Sequence, residues 1–229
     1  VKTLVLWDID LTLIDASGLG HAWYGTALRT VSGLELVHRP SYAGRTERAI
    51  SRQLLLSHDL EATDELISRL HAELVAVARL EHGRLAERGR ALPGAAAVLE
   101  ALAGEPGVVQ SLVTGNLVEI ARYKLAAFGL EEHLDFAIGG FGELSDDRPD
   151  LVREAVRLAT AKHGAAPESV VVVGDTPHDV DAALHHGYRA VAVATGRSDV
   201  AELEASGAHA VLVDLSDTAD VVDVLLGRR

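Results

Sequence analysis

The sequence predicts an α/β fold, a doubly wound, Rossmann-like parallel sheet with a small α-helical domain inserted after its first strand. Three observations carry the prediction. Short continuous apolar runs recur, each followed by an amphipathic helical pattern, the texture of strands buried on both faces. Between about Ser17 and about Ala91 strand texture is nearly absent, and apolar residues recur at three- and four-residue spacing. The apolar runs also end in polar residues, at the sheet edge where open parallel sheets take their ligands.

Element by element, Thr3 to Ile9 reads as the first strand. Three helical stretches follow, "GHAWYGTALRTVSG", "RTERAISRQLLLSH" and "ATDELISRLHAELVAVARLEHG", bounded by Gly or His. In "LPGAAAVLEALAGEPG", Pro93 suits a helix start and Gly104 a stop. Strand and helix then alternate: "VVQSLVTGN" before "LVEIARYKLAAFG", "LDFAIGG" before "RPDLVREAVRLATAKHG", "SVVVVGD" before "TPHDVDAALHHG", and "YRAVAVATG" before "SDVAELEASG". "HAVLVDL" closes the series. This divides the chain into an α/β core, residues 1–14 and 92–229, and a helical domain, residues 15–91.

The 229 residues suffice for a full core, and the 48% hydrophobic and 24% charged composition is that of a globular chain. No apolar run approaches the roughly 18 residues a membrane span needs, so no membrane partner is expected. The absence of cysteine excludes disulfides and thiolate metal sites. With no charged-then-apolar leader ahead of the first strand, the expected compartment is the cytoplasm. A net charge of -13 without a basic stripe argues against a nucleic-acid partner but leaves room for a small phosphorylated metabolite.

The strand ends carry the chemistry. Asp8 and Asp10 close the first strand, Thr114 and Asn116 flank Gly115 after the second, Asp175 and Asp179 follow "VVVVG", and Arg148 precedes Pro149 at a helix start. Carboxylates held close resist joint ionisation unless a cation relieves them. Oxygen donors from two strands suit Mg²⁺. One carboxylate can attack phosphorus, and a second can protonate the leaving oxygen and later activate water. Thr114, backbone N–H groups and Arg148 can stabilise the equatorial oxygens. The pattern points to phosphoryl transfer.

"DIDLT", "LVTGN", the Arg148-Pro149 pair and "GDTPHD" resemble, in order, the four signature motifs of the haloacid dehalogenase-like hydrolase superfamily. The helical insert resembles that family's type-one cap. The resemblance implies Asp8 as nucleophile and metal ligand, and Asp10 as general acid and base with its backbone carbonyl on Mg²⁺. It further implies Thr114 as a phosphate-binding residue aided by Asn116 and Thr12, Asp175 as a metal ligand and Asp179 in its support. Arg148 stands where the family usually has lysine, and Leu11 where it commonly has glycine. An acid at Asp10 favours phosphate esters, and the chain looks like the phosphoglycolate phosphatase branch. The expected activity is Mg²⁺-dependent hydrolysis of a small phosphate monoester through an aspartyl-phosphate.

Rival readings are a sugar phosphomutase, a phospho-acceptor module like a response-regulator receiver, and a silent binding protein. Of the residues in the helical domain, Arg45 after Gly44 is expected to face the substrate. His21, Trp23 and Tyr24 open its first helix, where aromatics are usually core, and Thr176 and Pro177 suit a helix start. His178 is expected to be exposed, and His185-His186 to favour a helix C-terminus. Oligomeric state is not readable from the sequence.

Overall fold

The computed structural model describes residues 1–16, 18 and 20–229. Ser17, about where helical texture was expected to begin, and the side chain of His21 lie outside the described residues. Strand β1, Thr3–Trp7, is the centre of a six-stranded parallel sheet. It is flanked by β4, Val108–Thr114, and β6, Ser169–Gly174, with Trp7 in register with Leu112 and Val173. Beyond β4 lies β5, Gly140–Phe141, and beyond β6 lie β7, Arg189–Val193, and β8, Ala210–Leu212.

The order β5-β4-β1-β6-β7-β8 runs outward one way from β1 and then restarts on its other side. The switch of direction opens a crevice beyond the carboxyl end of β1. Alternate residues of β1 feed two cores: Val5 and Trp7 face one, Leu4 and Leu6 the other, all fully buried. The first core is completed by α5, Ala95–Ala103, α6, Val118–Ala126, and α10, Thr218–Leu225. The second is covered by α7, Arg148–His163, α8, Pro177–Leu184, and α9, Val200–Ala205.

Between β1 and β4 the chain forms α1, Gly20–Ser32, α2, Glu47–Leu56, α3, Asp64–Glu81, and α4, Gly83–Arg88. Their buried residues, among them Leu28, Leu54, Ile67, Leu70 and Leu74, merge with the first core. Thr46 and Thr63 begin α2 and α3 by accepting the N–H of the third residue on. Two short strands, β2, Ile14–Asp15, and β3, Arg90–Ala91, pair antiparallel where the texture of the sequence changes, and Arg90 bridges Asp15 at 2.8 Å. No helix among the described residues is long and apolar enough to cross a membrane.

Three expectations are corrected. The first strand ends at Trp7 rather than Ile9, because the Ile9 carbonyl turns to accept from Thr12, Leu13 and Ile14. "LDFAIGG" is mostly not a strand: Asp135 caps a 3-10 turn over Phe136–Ile138, and only Gly140 and Phe141 join β4. The series does not close at β8, since α10 follows, capped by Asp217 and burying Val221, Val222 and Leu225.

Candidate active site

The end of β1 delivers Asp8 to the crevice, where it is 7% exposed. Arg148, at the start of α7 and equally buried, reaches Asp8 Oδ1 at 2.9 Å and Asp179 Oδ1 at 2.6 Å with one terminal nitrogen. That nitrogen also donates to the Val113 carbonyl at 3.3 Å, and the other to Gly44 at 3.4 Å. Burial works against the arginine's charge, but Asp179 and Asp8 hold its pKa above the ordinary value.

Asp175 follows β6 and Asp179 lies in the first turn of α8. Asp179 accepts from the Thr176 backbone N–H at 3.1 Å and its hydroxyl at 2.6 Å, closing the helix start that the sequence suggested. One oxygen each of Asp8, Asp175 and Asp179 lies within 4.8 Å of the others. Burial raises the Asp8 carboxyl to about 6 in spite of Arg148. Burial, then repulsion from Asp179 and Asp8, raises Asp175 to about 8. Three carboxylates are thus buried together with one guanidinium that pairs with only two of them, Asp8 and Asp179, and their oxygen-only donor set fits a hard divalent cation.

Asp10 is less enclosed, its side chain 43% exposed. Asn116 Nδ2 donates to Asp10 Oδ2 and to Thr114 Oγ1, both at 2.8 Å, drawing the two motif ends together. Between Asp10 and Thr12 the chain turns sharply at Leu11, which takes the left-handed conformation with φ 61 despite its side chain. Its N–H donates to Ile14 at 2.7 Å, and its carbonyl accepts from Thr195 Oγ1 at 2.6 Å. Leu11 thus holds a backbone shape that glycine favours, fixed at both its N–H and its carbonyl.

A cavity of about 740 Å³ opens above these groups, lined by Asp8, Asp10, Thr114, Asn116, Arg148 and Asp175. Its far wall is the loop of residues 40–45 and the start of α2. Arg45 lines it too, but its guanidinium is engaged with Gln53 and, at 3.3 Å, the Ala49 carbonyl. Thr12 lies elsewhere: fully buried, with its hydroxyl 3.5 Å from Asp175 Oδ1, it stands behind the carboxylate rather than in the cavity wall. Asp179 is likewise behind the wall. His178 is exposed, as expected, and its exposed face lines the cavity beneath Gly44.

The helical loop seats closely on the strand ends. Glu47 N–H donates to Gly115 at 2.8 Å and Arg48 N–H to Gly142 at 2.9 Å, while Thr46 Oγ1 donates to Asp146 at 3.2 Å. A Cβ on Gly115 would stand 2.0 Å from the Arg45 carbonyl, so glycine is required there by the approach of the loop.

Sequence reasoning missed Lys124 and Glu47 as cavity residues. Lys124 lies on α6 and bonds Asp10. Glu47 is 6% exposed and accepts from the Tyr24 hydroxyl at 2.8 and 2.9 Å, and burial raises it to about 7. Both were detectable as charged residues on otherwise apolar helical stripes. Leu117, Ile120, Ala121 and Leu125 frame Lys124, and Ile50, Leu54 and Leu55 continue from Glu47.

Residues 5–184 match the family model of the haloacid dehalogenase-like hydrolases. The chain belongs to that family. As a haloacid dehalogenase-like hydrolase it is similar to the "Probable phosphatase IndB" of Dickeya dadantii (strain 3937), 27% identical over 99% of this chain and 96% of the relative. Among solved structures it is similar to a hydrolase from Pseudomonas syringae, with a TM-score of 0.68 and 26% identity over 98% of this chain and 99% of the other. A "predicted phosphoglycolate phosphatase" from Haemophilus somnus 129pt shares the fold, with a TM-score of 0.66 and 18% identity over 96% and 97% of the two chains.

Proposed function

We propose that this haloacid dehalogenase-like hydrolase is a Mg²⁺-dependent phosphatase that cleaves small phosphate monoesters through an aspartyl-phosphate on Asp8. The observation that carries the reading is Asp8 at the cavity floor with Arg148 on one oxygen and Asp10 two residues on. An Asp8 oxygen attacks phosphorus, the phosphorus–ester oxygen bond breaks, and Asp10 gives its proton to the departing alkoxide. Water then attacks the phosphorus of the acyl phosphate while Asp10 takes its proton, and the Asp8–phosphorus bond breaks to release phosphate.

Thr114 and Arg148 bind the phosphoryl oxygens. Asp8, Asp175 and Asp179 are the residues that would hold Mg²⁺, with the Asp10 carbonyl, and Thr12 orients Asp175. When bound, the ion supplies positive charge against the phosphoryl oxygens. Residues 15–91 serve as a cap: the loop of residues 40–45 encloses the cavity, keeps water from the ester and, with Arg45, selects the substrate. The similarity to a relative named as a phosphatase supports this reading. The test is phosphate release from a panel of small esters with Mg²⁺ or a chelator. Metal-dependent release is expected; no release from any ester by folded protein contradicts it.

A further inference from the structure

Lys124 Nζ spends its three N–H bonds on one cluster: Asp10 Oδ1 at 2.8 Å, Asp10 Oδ2 at 2.6 Å and Asn116 Oδ1 at 2.7 Å. Because Asn116 Oδ1 faces the ammonium, its Nδ2 is turned to Asp10 Oδ2 and Thr114 Oγ1. The result is a closed ring of Lys124, Asp10 and Asn116. The lysine side chain is 12% exposed, unlike the solvated pairs that contribute little. It sits eight residues beyond Asn116, in the last turn of α6, where the helix dipole favours a cation.

Asp10 has few other restraints. Its carboxylate takes hydrogen bonds from Lys124 and Asn116, it lies beyond the end of β1, and it precedes the left-handed turn at Leu11. Both oxygens are claimed by one part-buried ammonium, so the orientation of the carboxyl group is set by α6 rather than by its own loop.

We infer that Lys124 is a positioning residue for Asp10, holding its carboxyl group on the side of the cavity where the leaving oxygen departs. The inference rests on the phosphatase reading above. It requires that losing Lys124 harm the proton transfer that Asp10 performs more than the attack that Asp8 performs. Esters with poor leaving groups need that proton; aryl phosphates, which leave as stable phenolates, need it far less.

The experiment compares native chain, Lys124→Met and Lys124→Arg on an alkyl phosphate and on p-nitrophenyl phosphate, with Asp8→Asn as the blank and thermal melting as the fold control. Lys124→Met is expected to lose about 100-fold or more in kcat on the alkyl ester and less than about 10-fold on the aryl ester. Lys124→Arg is expected to recover part of the alkyl rate. Should the methionine variant not fold, Lys124→Gln carries the same comparison. Equal losses on both esters, or unchanged rates, overturn the inference while leaving the phosphatase reading intact. A native chain with no release above the Asp8→Asn blank overturns the phosphatase reading, and the inference with it.

Discussion

Replacing Arg148 with methionine removes the one guanidinium that Asp8 and Asp179 share, at 2.9 and 2.6 Å. At an effective dielectric of about 20 each contact represents about 6 kcal/mol of gross attraction. Much of that is offset by desolvation in the native protein, and orphaned carboxylates take up protons, so the expected net loss is about 3–5 kcal/mol. This is a large share of the roughly 5–15 kcal/mol that holds a domain folded. For a chain of this size it lowers the melting temperature by about 6–20 °C. The assay is thermal melting in chelator, near neutral pH, of native protein, Arg148→Met and Arg148→Lys. Lysine keeps the charge without the planar fork and should fall between the two. Added Mg²⁺ should recover part of the methionine variant's loss, because a divalent cation meets the same uncompensated carboxylates. A methionine variant melting within about 2 °C of native in chelator would refute the charge-balance argument.

Burial raises Glu47 to about 7 from an ordinary 4.5, so its contribution is fully present below the lower value and is lost as pH rises through the upper one. Glu47→Gln should therefore gain on the native protein by up to about 3 kcal/mol between about pH 5 and pH 8, read as a growing difference in urea midpoints; a constant difference counts against it. Gly115→Ala drives a Cβ against the Arg45 carbonyl, so it should unseat the loop and lower kcat/KM by at least about 10-fold, with the protein still folded by circular dichroism. Native kinetics in that variant would show that the loop does not need its present seat.

The parts of the molecule legible in the sequence are those where one local pattern suffices. Continuous valines in "SVVVVG" mark a strand buried on both faces, and the polar residues after Trp7, Thr114 and Gly174 mark the crevice because topology puts strand ends together. The pairing of Arg148 with Asp8 and Asp179 was less legible, since a charged loop, "DDRPD", is ordinarily solvated and only the burial of α7 against the sheet turns the arginine inward. The turn at Phe136–Ile138 had strand-like composition, but Asp135 offers a side-chain acceptor to Ala137 N–H and so stabilises the turn instead. Lys124 and Glu47 left a signal, a charge on an apolar stripe, but that signal does not name a role until the partner, distant in sequence, is known.

The most direct test of the account is whether phosphorus becomes bonded to Asp8. An alkyl ester labelled in its phosphoryl group is mixed with excess enzyme and Mg²⁺, quenched in acid at short times, and the protein is assayed for label and mapped by peptide. The account predicts an acyl phosphate that rises and decays, lies on the peptide carrying Asp8, and is absent from Asp8→Asn. Rapid phosphate release with no labelled protein at any time, or label on another residue, would contradict it.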